Sequence, residues 1–152
     1  MSHSERLAAL NLTLPPVAVP VGSYVPALQS GREVLTSGQL PMRDGQLTCT
    51  GKVGTDVSLE EAAAGAELAV LNALAAVASV VGGIDRIERI VRVCVFVNSA
   101  AGFTDQPKVA NGASNLLAKI FGDAGKHVRS AVGVAELPLG AAVELELVAR
   151  VG

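Results

Sequence analysis

The alternation of hydrophobic and polar positions along the chain predicts an α+β domain. Apolar residues recur at helical spacing between about residues 58 and 81 and between about 108 and 121, and a glycine follows each stretch. Other segments are apolar throughout or alternate with period two, as strands do. These predicted strands are 33–37, 87–97, 127–138 and 143–149. The order of the elements favours two main helices packed on one face of a mixed sheet.

Short polar signals mark where several of these elements begin and end. Ser58 can cap the first long helix and Glu61 can reach back to it, while Gly82-Gly83 ends that helix. Asp44-Gly45 is a hairpin signal within a polar segment. Residues 4–11 have the spacing of a short amphipathic helix, with Leu side chains three apart. These signals divide the chain into elements of ordinary length.

The predicted sheet has one strand that is apolar on both faces. This is the centre of the 87–97 segment, Val93 to Val97, and such a pattern is typical of an interior strand. The face of the sheet away from the helices carries Val and Ala as well as charge. Because such a face is too apolar to be left in water, we expect it to be buried against identical subunits.

The last two predicted strands carry opposite charges on defined faces. Arg129 shares its face with three small residues, which are Ala131, Gly133 and Ala135. A guanidinium beside open space is the arrangement of a shallow anion pocket. On the last strand, Glu144 and Glu146 lie opposite the apolar face. The alternative interpretation is that both charged faces are simply solvated.

Composition limits the classes of function that are possible. The chain has 152 residues, which suits one domain spanning 1–152 with an extra N-terminal helical segment at 1–16. Half of the residues are hydrophobic, whereas aromatic residues make up only 3%. The net charge is −2, and neither a basic stripe nor a set of stacking aromatics is visible. We therefore expect no nucleic-acid partner.

The cysteines and histidines do not form a recognisable metal motif. Cys49 and Cys94 are far apart, and Cys94 lies in an apolar strand, where a small core side chain is expected. His127 is interpreted as a solvated loop residue. We expect no metal and no cofactor. The longest uncharged run, residues 68–84, is shorter than the ~20 strongly apolar residues of a membrane span. Because the polar start of the chain is unlike a signal peptide, we expect no membrane partner and a cytoplasmic location.

Seven short pieces of the sequence form a set that resembles a known family. They are Gly22-Ser23-Tyr24, Thr36-Ser37-Gly38-Gln39-Leu40-Pro41, Val93-Cys94-Val95-Phe96-Val97, Asn111, Arg129-Ser130-Ala131-Val132, Leu137-Pro138 and Val143-Glu144-Leu145-Glu146. In this order they resemble the Rid/YjgF family, the reactive-intermediate (enamine/imine) deaminases, also labelled L-PSP endoribonucleases or translation inhibitors. The resemblance covers about residues 17–151. Its most specific part is the combination of Thr-Ser-Gly-Gln with Arg-Ser-x-Val, Leu-Pro and Glu.

The resemblance implies a fold, an assembly and an activity. The fold is that of bacterial chorismate mutase, and the assembly is a homotrimer with active sites in clefts between subunits. The activity is hydrolysis of small enamine or imine acids to 2-keto acids and ammonia. By resemblance, Arg129 grips the substrate carboxylate and Glu144 positions the water. The other matching substrate-binding positions are Tyr24, Ser37, Gly38, Asn111 and Ala131.

Two departures from the family pattern indicate a divergent subgroup. Ala131 stands where the well-known deaminases have Cys, so a thiol role is lost although the backbone N–H is kept. Ser23 stands where the family has Pro. Two alternative functions stay open. One is a non-catalytic sensor or regulatory protein that binds a small carboxylate through Arg129 without using Glu144, and the other is an endoribonuclease, which the acidic balance disfavours.

Overall fold

The computed structural model describes residues 1–20 and 22–152. The helices are α1 (His3–Ala9), α2 (Leu59–Val81) and α3 (Gln106–Phe121). The strands are β1 (Ala27–Ser30), β2 (Glu33–Thr36), β3 (Met42–Arg43), β4 (Gln46–Leu47), β5 (Ile87–Asn98), β6 (Val128–Val134) and β7 (Val143–Val151). The α+β prediction is confirmed, and most bounds agree with the sequence pattern within a few residues. Strand β1 is an addition that the pattern did not predict.

Five of the strands form one mixed sheet in the order β1-β2-β7-β5-β6. Neighbouring strands are antiparallel, except that β5 and β6 are parallel. A parallel pair requires a crossover, and α3 provides it. Strand β5 lies between β7 and β6, as its apolar centre predicted, whereas β6 is an edge strand.

Helices α2 and α3 cover one face of this sheet and form the core with it. Val93, Val95 and Val97 of β5 are fully buried there, beside Val143 and Leu145 of β7. Helix α2 is long and apolar enough to cross a membrane by length and composition. However, 67% of its most apolar 18-residue segment is buried inside the fold. It is therefore the central core helix of a soluble fold.

The two core helices approach each other closely at Gly112. A Cβ atom at this position would lie 2.1 Å from the backbone oxygen of Ala63 in α2. No real side chain tolerates that distance, so only glycine allows this contact. The contact fixes the first half of α3 against α2, and this half carries Asn111 and Ser114.

The local signals read from the sequence have the expected geometry. The Ser58 hydroxyl accepts a hydrogen bond from the Glu61 backbone N–H at 3.1 Å, although the Glu61 carboxylate meets that hydroxyl rather than the backbone of Ser58. Gly82 ends α2 in the left-handed conformation, with φ of 92°. Asp44 and Gly45 have φ of 53° and 77°, which are the angles of a tight hairpin turn between β3 and β4.

The N-terminal helix is attached to the rest of the fold by side-chain contacts. Ser2 and Glu5 form a complete capping box, so α1 begins earlier than the sequence pattern indicated. The Asp85 carboxylate accepts hydrogen bonds from the Ser4 backbone N–H at 2.9 Å and from its hydroxyl at 2.5 Å. These contacts join α1 to the turn that precedes β5.

The second face of the sheet, called the outer face below, is open in the single chain. It presents Leu28 (51% exposed), Leu35 (39%) and Val132 (44%). One row of aligned residues crosses the five strands on this face and consists of Leu28, Leu35, Val148, Arg92 and Val128. The outer face therefore combines apolar and charged side chains, as the sequence pattern predicted.

Candidate functional site

The guanidinium of Arg129 is held in place by neutral oxygen atoms. Strand β6 turns Arg129 toward the start of α3, where Nη1 donates to Asn111 Oδ1 at 2.9 Å and to Ser114 Oγ at 3.0 Å. Nη2 donates to the Pro107 carbonyl at 3.4 Å. In the part of the chain that the structure describes, none of the ion pairs includes Arg129. A half-buried cation with only neutral partners is prepared to bind an anion.

The sequence pattern predicted open space beside Arg129 on its own strand face, and this prediction is wrong. The face that Arg129 shares with Ala131 and Gly133 is the face toward the helices, and Ala131 packs against the core. A Cβ at Gly133 would lie 2.9 Å from both Gln106 Nε2 and Ser99 Oγ. These two side chains fill the space that the small residues leave. Access to Arg129 therefore comes from solvent at the edge of β6 rather than from a cavity along the strand.

The interpretation of His127 as a solvated loop residue is also wrong. Its side chain is part-buried, with Nδ1 2.6 Å from the Gly125 carbonyl oxygen and Nε2 2.9 Å from Ser114 Oγ. Sequence reasoning did not identify Ser114 either. The signal was present, because Asn111 and Ser114 are three residues apart and lie on one side of a helix. Because α3 packs beside β6, both side chains accept hydrogen bonds from the same residue, Arg129.

Glu144 lies in a second group of the predicted residues, near the end of β2. It is half-buried, and burial together with the nearby charge of Glu146 raises the pKa of its carboxyl group. Its side chain packs directly on Gly38, where a Cβ atom would lie 2.5 Å from Glu144 Oε1. In the described part of the chain no hydrogen bond to the Glu144 carboxylate is present. Glu144 is therefore a half-desolvated carboxyl group whose proton is held more tightly than usual.

Gly38 and Tyr24 line a small pocket on this side of the molecule. Its other lining residues are Ala18, Val19, Pro20, Pro26, Gln39, Leu40 and Met42. Tyr24 is 46% exposed at this position. Ser37 has a structural contact instead, since its hydroxyl donates to the Val25 carbonyl at 2.6 Å. The structure thus brings Tyr24, Gly38 and Glu144 to one region and leaves Arg129 and Asn111 in another.

Within one chain, the two charged residues of the predicted site point away from each other. Arg129 is aligned with Val93 of β5, and Glu144 is aligned with Phe96. Successive residues of a strand point to opposite faces, so positions three apart lie on opposite faces and about 10 Å apart along the strand. Arg129 therefore faces the helices and Glu144 the outer face. Within one subunit, the sheet therefore separates the two groups of predicted residues.

The cysteines show where a core prediction was wrong. Cys49 is buried, but Cys94 lies half-exposed on the outer face, aligned with Glu146 and Ser130. Burial and the charge of Glu146 raise the pKa of its thiol, which makes a thiolate unfavourable there. Among the described residues, no group of three His, Cys, Asp or Glu side chains could hold a metal ion.

Comparison with known proteins identifies the class to which this fold belongs. The family described as "YjgF/chorismate mutase-like, putative endoribonuclease" matches residues 4–151. Protein TCP17 of Trypanosoma cruzi is 41% identical over 144 residues, which cover 94% of this chain and 90% of that protein. The chain therefore belongs to the YjgF/chorismate mutase-like (Rid) family, and the resemblance seen in the sequence is confirmed.

Solved structures of similar proteins agree with this assignment. The protein Atu1372 of Agrobacterium tumefaciens, of unknown function, is 40% identical with a TM-score of 0.90, over 99% of this chain and 92% of its own. A Shewanella oneidensis MR-1 protein with the same endoribonuclease description is 36% identical with a TM-score of 0.96, over 99% and 100% of the two chains. Escherichia coli TdcF, solved with bound serine, is 23% identical (TM-score 0.63, covering 91% of this chain and 94% of its own) and shares the fold.

Proposed function

We propose that this protein hydrolyses small 2-imino or enamine acids to 2-keto acids and ammonia. The proposal depends on the hydrogen-bond donors of Arg129 that have no acceptor. Three of its five N–H groups are used by Asn111, Ser114 and Pro107, which leaves Nε–H and one Nη2–H without an acceptor among the described residues. Two such donors match the two oxygens of one carboxylate.

The reaction requires few groups beyond this anchor. Arg129 binds the carboxylate and so places the neighbouring C=N carbon in a fixed position. Water adds to the carbon of the protonated imine and gives a proton to Glu144, whose raised pKa makes it a stronger base than an exposed carboxylate. Glu144 returns this proton to the nitrogen of the carbinolamine. Ammonia then leaves, and the hydroxyl loses its proton to Glu144 as it becomes the carbonyl of the 2-keto acid. An enamine reaches the same path after protonation to the imine.

The opposite orientations of Arg129 and Glu144 favour a site shared between two chains. A ligand held by Arg129 of one subunit can meet only the Glu144 of a neighbour, because the sheet separates the two side chains within a chain. Strand β6 is an edge strand of seven residues, and Val128 and Val132 on it are exposed. Because such edges are normally covered, we propose a homotrimer in which a neighbour completes each site.

Disruption of the outer face should therefore prevent assembly. We expect Val132→Glu to convert the trimer to a monomer at micromolar concentration, since a charge on the apolar outer face cannot be buried without a partner. Analytical ultracentrifugation checks this result. Val80→Glu is the matched control, because Val80 is 37% exposed near the end of α2, away from this face. A monomeric parent protein, or a Val132→Glu variant that stays trimeric, contradicts the proposed assembly.

The glycine beneath Glu144 provides a test of the carboxylate position. The Cβ of Gly38→Ala would displace the flexible end of Glu144 by contact with Oε1 at 2.5 Å. We expect turnover to fall on the order of tenfold, while carboxylate affinity and the thermal midpoint change little, because only the proton acceptor moves. Steady-state kinetics, ligand titration and a melting curve separate these quantities. A fall in affinity with unchanged kcat would place Glu144 in binding rather than catalysis.

Turnover of a freshly generated imine tests the proposed function directly. An amino-acid oxidase acting on a small amino acid supplies the 2-imino acid, and trapping with semicarbazide reports how much imine survives. We expect the protein to reduce the trapped fraction in proportion to its concentration. An unchanged fraction, under conditions where a 2-keto acid binds, would favour the second candidate function.

That second candidate is a small-carboxylate-binding or regulatory protein without catalysis. The separation of Arg129 from Glu144 favours it, because carboxylate binding at Arg129 uses only residues of one chain. The loss of a thiol at Ala131 is compatible with both functions. Endoribonuclease activity receives no support from the net charge of −2, since phosphate backbones are bound by basic surfaces.

We also propose that the protein works in the cytoplasm. Cys49 and Cys94 are both free thiols, as expected of proteins from a reducing compartment.

A further inference from the structure

A chain of hydrogen bonds leads from Arg129 back to the protein backbone. Nη1 of Arg129 lies 3.0 Å from Ser114 Oγ, which lies 2.9 Å from His127 Nε2. The other ring nitrogen, Nδ1, lies 2.6 Å from the Gly125 carbonyl oxygen. Two elements contribute to this chain, since Ser114 is on α3 and His127 immediately precedes β6.

The chemistry of these groups fixes the direction of each hydrogen bond. A carbonyl oxygen only accepts, so Nδ1 of His127 carries a hydrogen and donates it to Gly125. In the neutral imidazole, Nε2 is then the acceptor and receives the Ser114 hydroxyl hydrogen. The lone pairs of Ser114 Oγ are thereby left for Arg129 Nη1. Every donor in the chain points away from the guanidinium and toward the backbone.

Protonation of His127 changes this arrangement at one atom. Nε2 then also carries a hydrogen and donates it to Ser114 Oγ, so the hydroxyl must turn its own hydrogen to another acceptor. Ser114 Oγ still accepts from Arg129, and Asn111 Oδ1 still accepts from the same nitrogen. The position of the guanidinium is therefore kept, while a second positive charge lies two hydrogen bonds behind it.

We propose that His127 is a positioning residue for Arg129, acting through Ser114, and that its protonation strengthens carboxylate binding at Arg129. The inference rests on the proposed function, because it assumes an anion at this guanidinium. A bound carboxylate offsets the repulsion between the two cations and so favours the charged imidazole. By linkage, binding of a carboxylate near neutral pH takes up protons.

The other charged groups near His127 do not replace it in this role. Lys126 precedes it and pairs with Asp123 at 3.1 Å. Arg92, aligned with Val128, lies on the outer face and donates to Ser130. From α3, the groups that reach His127 and Arg129 are the neutral side chains of Ser114 and Asn111. Among the described residues, the nearest charge coupled to His127 by hydrogen bonds is therefore Arg129 itself.

The hydrogen-bond chain can be tested without any ligand. In the ¹⁵N NMR spectrum of the whole protein we expect neutral His127 to be the Nδ1–H tautomer, because Nδ1 donates to the Gly125 carbonyl. His3, the other histidine of the chain, is the internal reference. An Nε2–H tautomer of neutral His127 would overturn the proposal whether or not the protein is a deaminase.

The functional consequence is tested with benzoate as the probe. We expect its affinity to rise on the order of fivefold between pH 8 and pH 6, as for one added unit charge in a partly hydrated site, with net proton uptake in buffers of different ionisation enthalpy. In His127→Gln the pH dependence and the proton uptake should disappear while binding persists, and His3→Gln should behave like the parent.

Two controls separate this proposal from others. Because the pKa of Glu144 is raised, its titration also contributes to a pH dependence, so the measurements are repeated in Glu144→Gln. An undiminished pH dependence in His127→Gln would overturn the role of His127 and leave the anchor role of Arg129 intact. Absence of benzoate binding to the parent at every pH would overturn both.

Discussion

Arg129→Ala is expected to lose about 2–3 kcal/mol of binding free energy for a small 2-keto acid, or roughly 30- to 150-fold in affinity. This expected loss lies at the low end of what removing one partner of a buried charge pair costs. The reason is that the Arg129 side chain is only half-buried and is partly screened by water. Arg129→Lys should lose most of this affinity as well, although the charge is kept. Lysine cannot present two parallel N–H donors or reach Asn111, Ser114 and Pro107 at the same time.

Calorimetric titration with 2-ketobutyrate measures this change, and the stability of each variant is measured beside it. The loss of three hydrogen bonds to neutral oxygens should lower the free energy of unfolding by about 1–2 kcal/mol at most, since the guanidinium is partly hydrated. Arg89→Ala is the matched control, because that exposed arginine also donates to a backbone carbonyl, that of Asp123. If Arg129→Ala binds as tightly as the Arg89 variant, Arg129 is a surface residue and the proposed anchor is wrong.

Glu144→Gln should lower imine turnover on the order of 100-fold and leave 2-keto acid affinity nearly unchanged. The substitution keeps the shape of the side chain above Gly38 but removes the proton-accepting oxygen. Because burial and Glu146 raise the pKa of Glu144, the parent should gain activity as pH rises through that raised value. This acidic limb of the pH–rate profile should be missing in Glu144→Gln. Equal rates for the two proteins would exclude Glu144 from the mechanism.

Mixed trimers determine whether the site is shared between subunits. When Arg129→Ala and Glu144→Gln chains assemble together at random in equal amounts, about one quarter of the sites should combine an intact Arg129 with an intact Glu144 from the neighbour. Two nearly inactive proteins should then give about a quarter of the parent rate. The matched control mixes the double variant with the parent, which also gives a quarter if the site is shared but half if each chain works alone. No recovery in the first mixture contradicts a shared site.

The sequence pattern predicted those parts of the fold that depend on local chemistry. Strand β5 was recognisable because Val93 to Val97 are apolar on both faces, and α2 because Ser58 begins it and Gly82 ends it. Strand β1 could not be predicted in the same way. Ala27–Ser30 is a short edge strand with little burial, so it shows neither alternation nor an apolar run. Only pairing with β2 makes it a strand.

For the candidate site, the sequence pattern could not predict how the proposed residues are arranged in space. Arg129 and Glu144 were chosen from strand alternation and from a family resemblance, but their opposite orientations depend on the register of β6 and β7 against β5. The part played by His127 depends on Ser114, thirteen positions earlier in the chain. No local pattern reports a contact that forms only when α3 packs beside β6. The space beside Gly133 was misjudged for the same reason, because Gln106 and Ser99 reach it from outside the strand.

The close approach of α3 to α2 at Gly112 has a consequence for the interpretation of genetic screens. Any side chain at this position must move α3 away from the Ala63 carbonyl, and Asn111 and Ser114 move with it. A substitution in the helix interface would therefore turn the guanidinium of Arg129 without touching a ligand. In a selection for function, Gly112 would be identified together with the residues that bind the substrate, although the atoms nearest to its Cβ position are backbone atoms of a neighbouring helix.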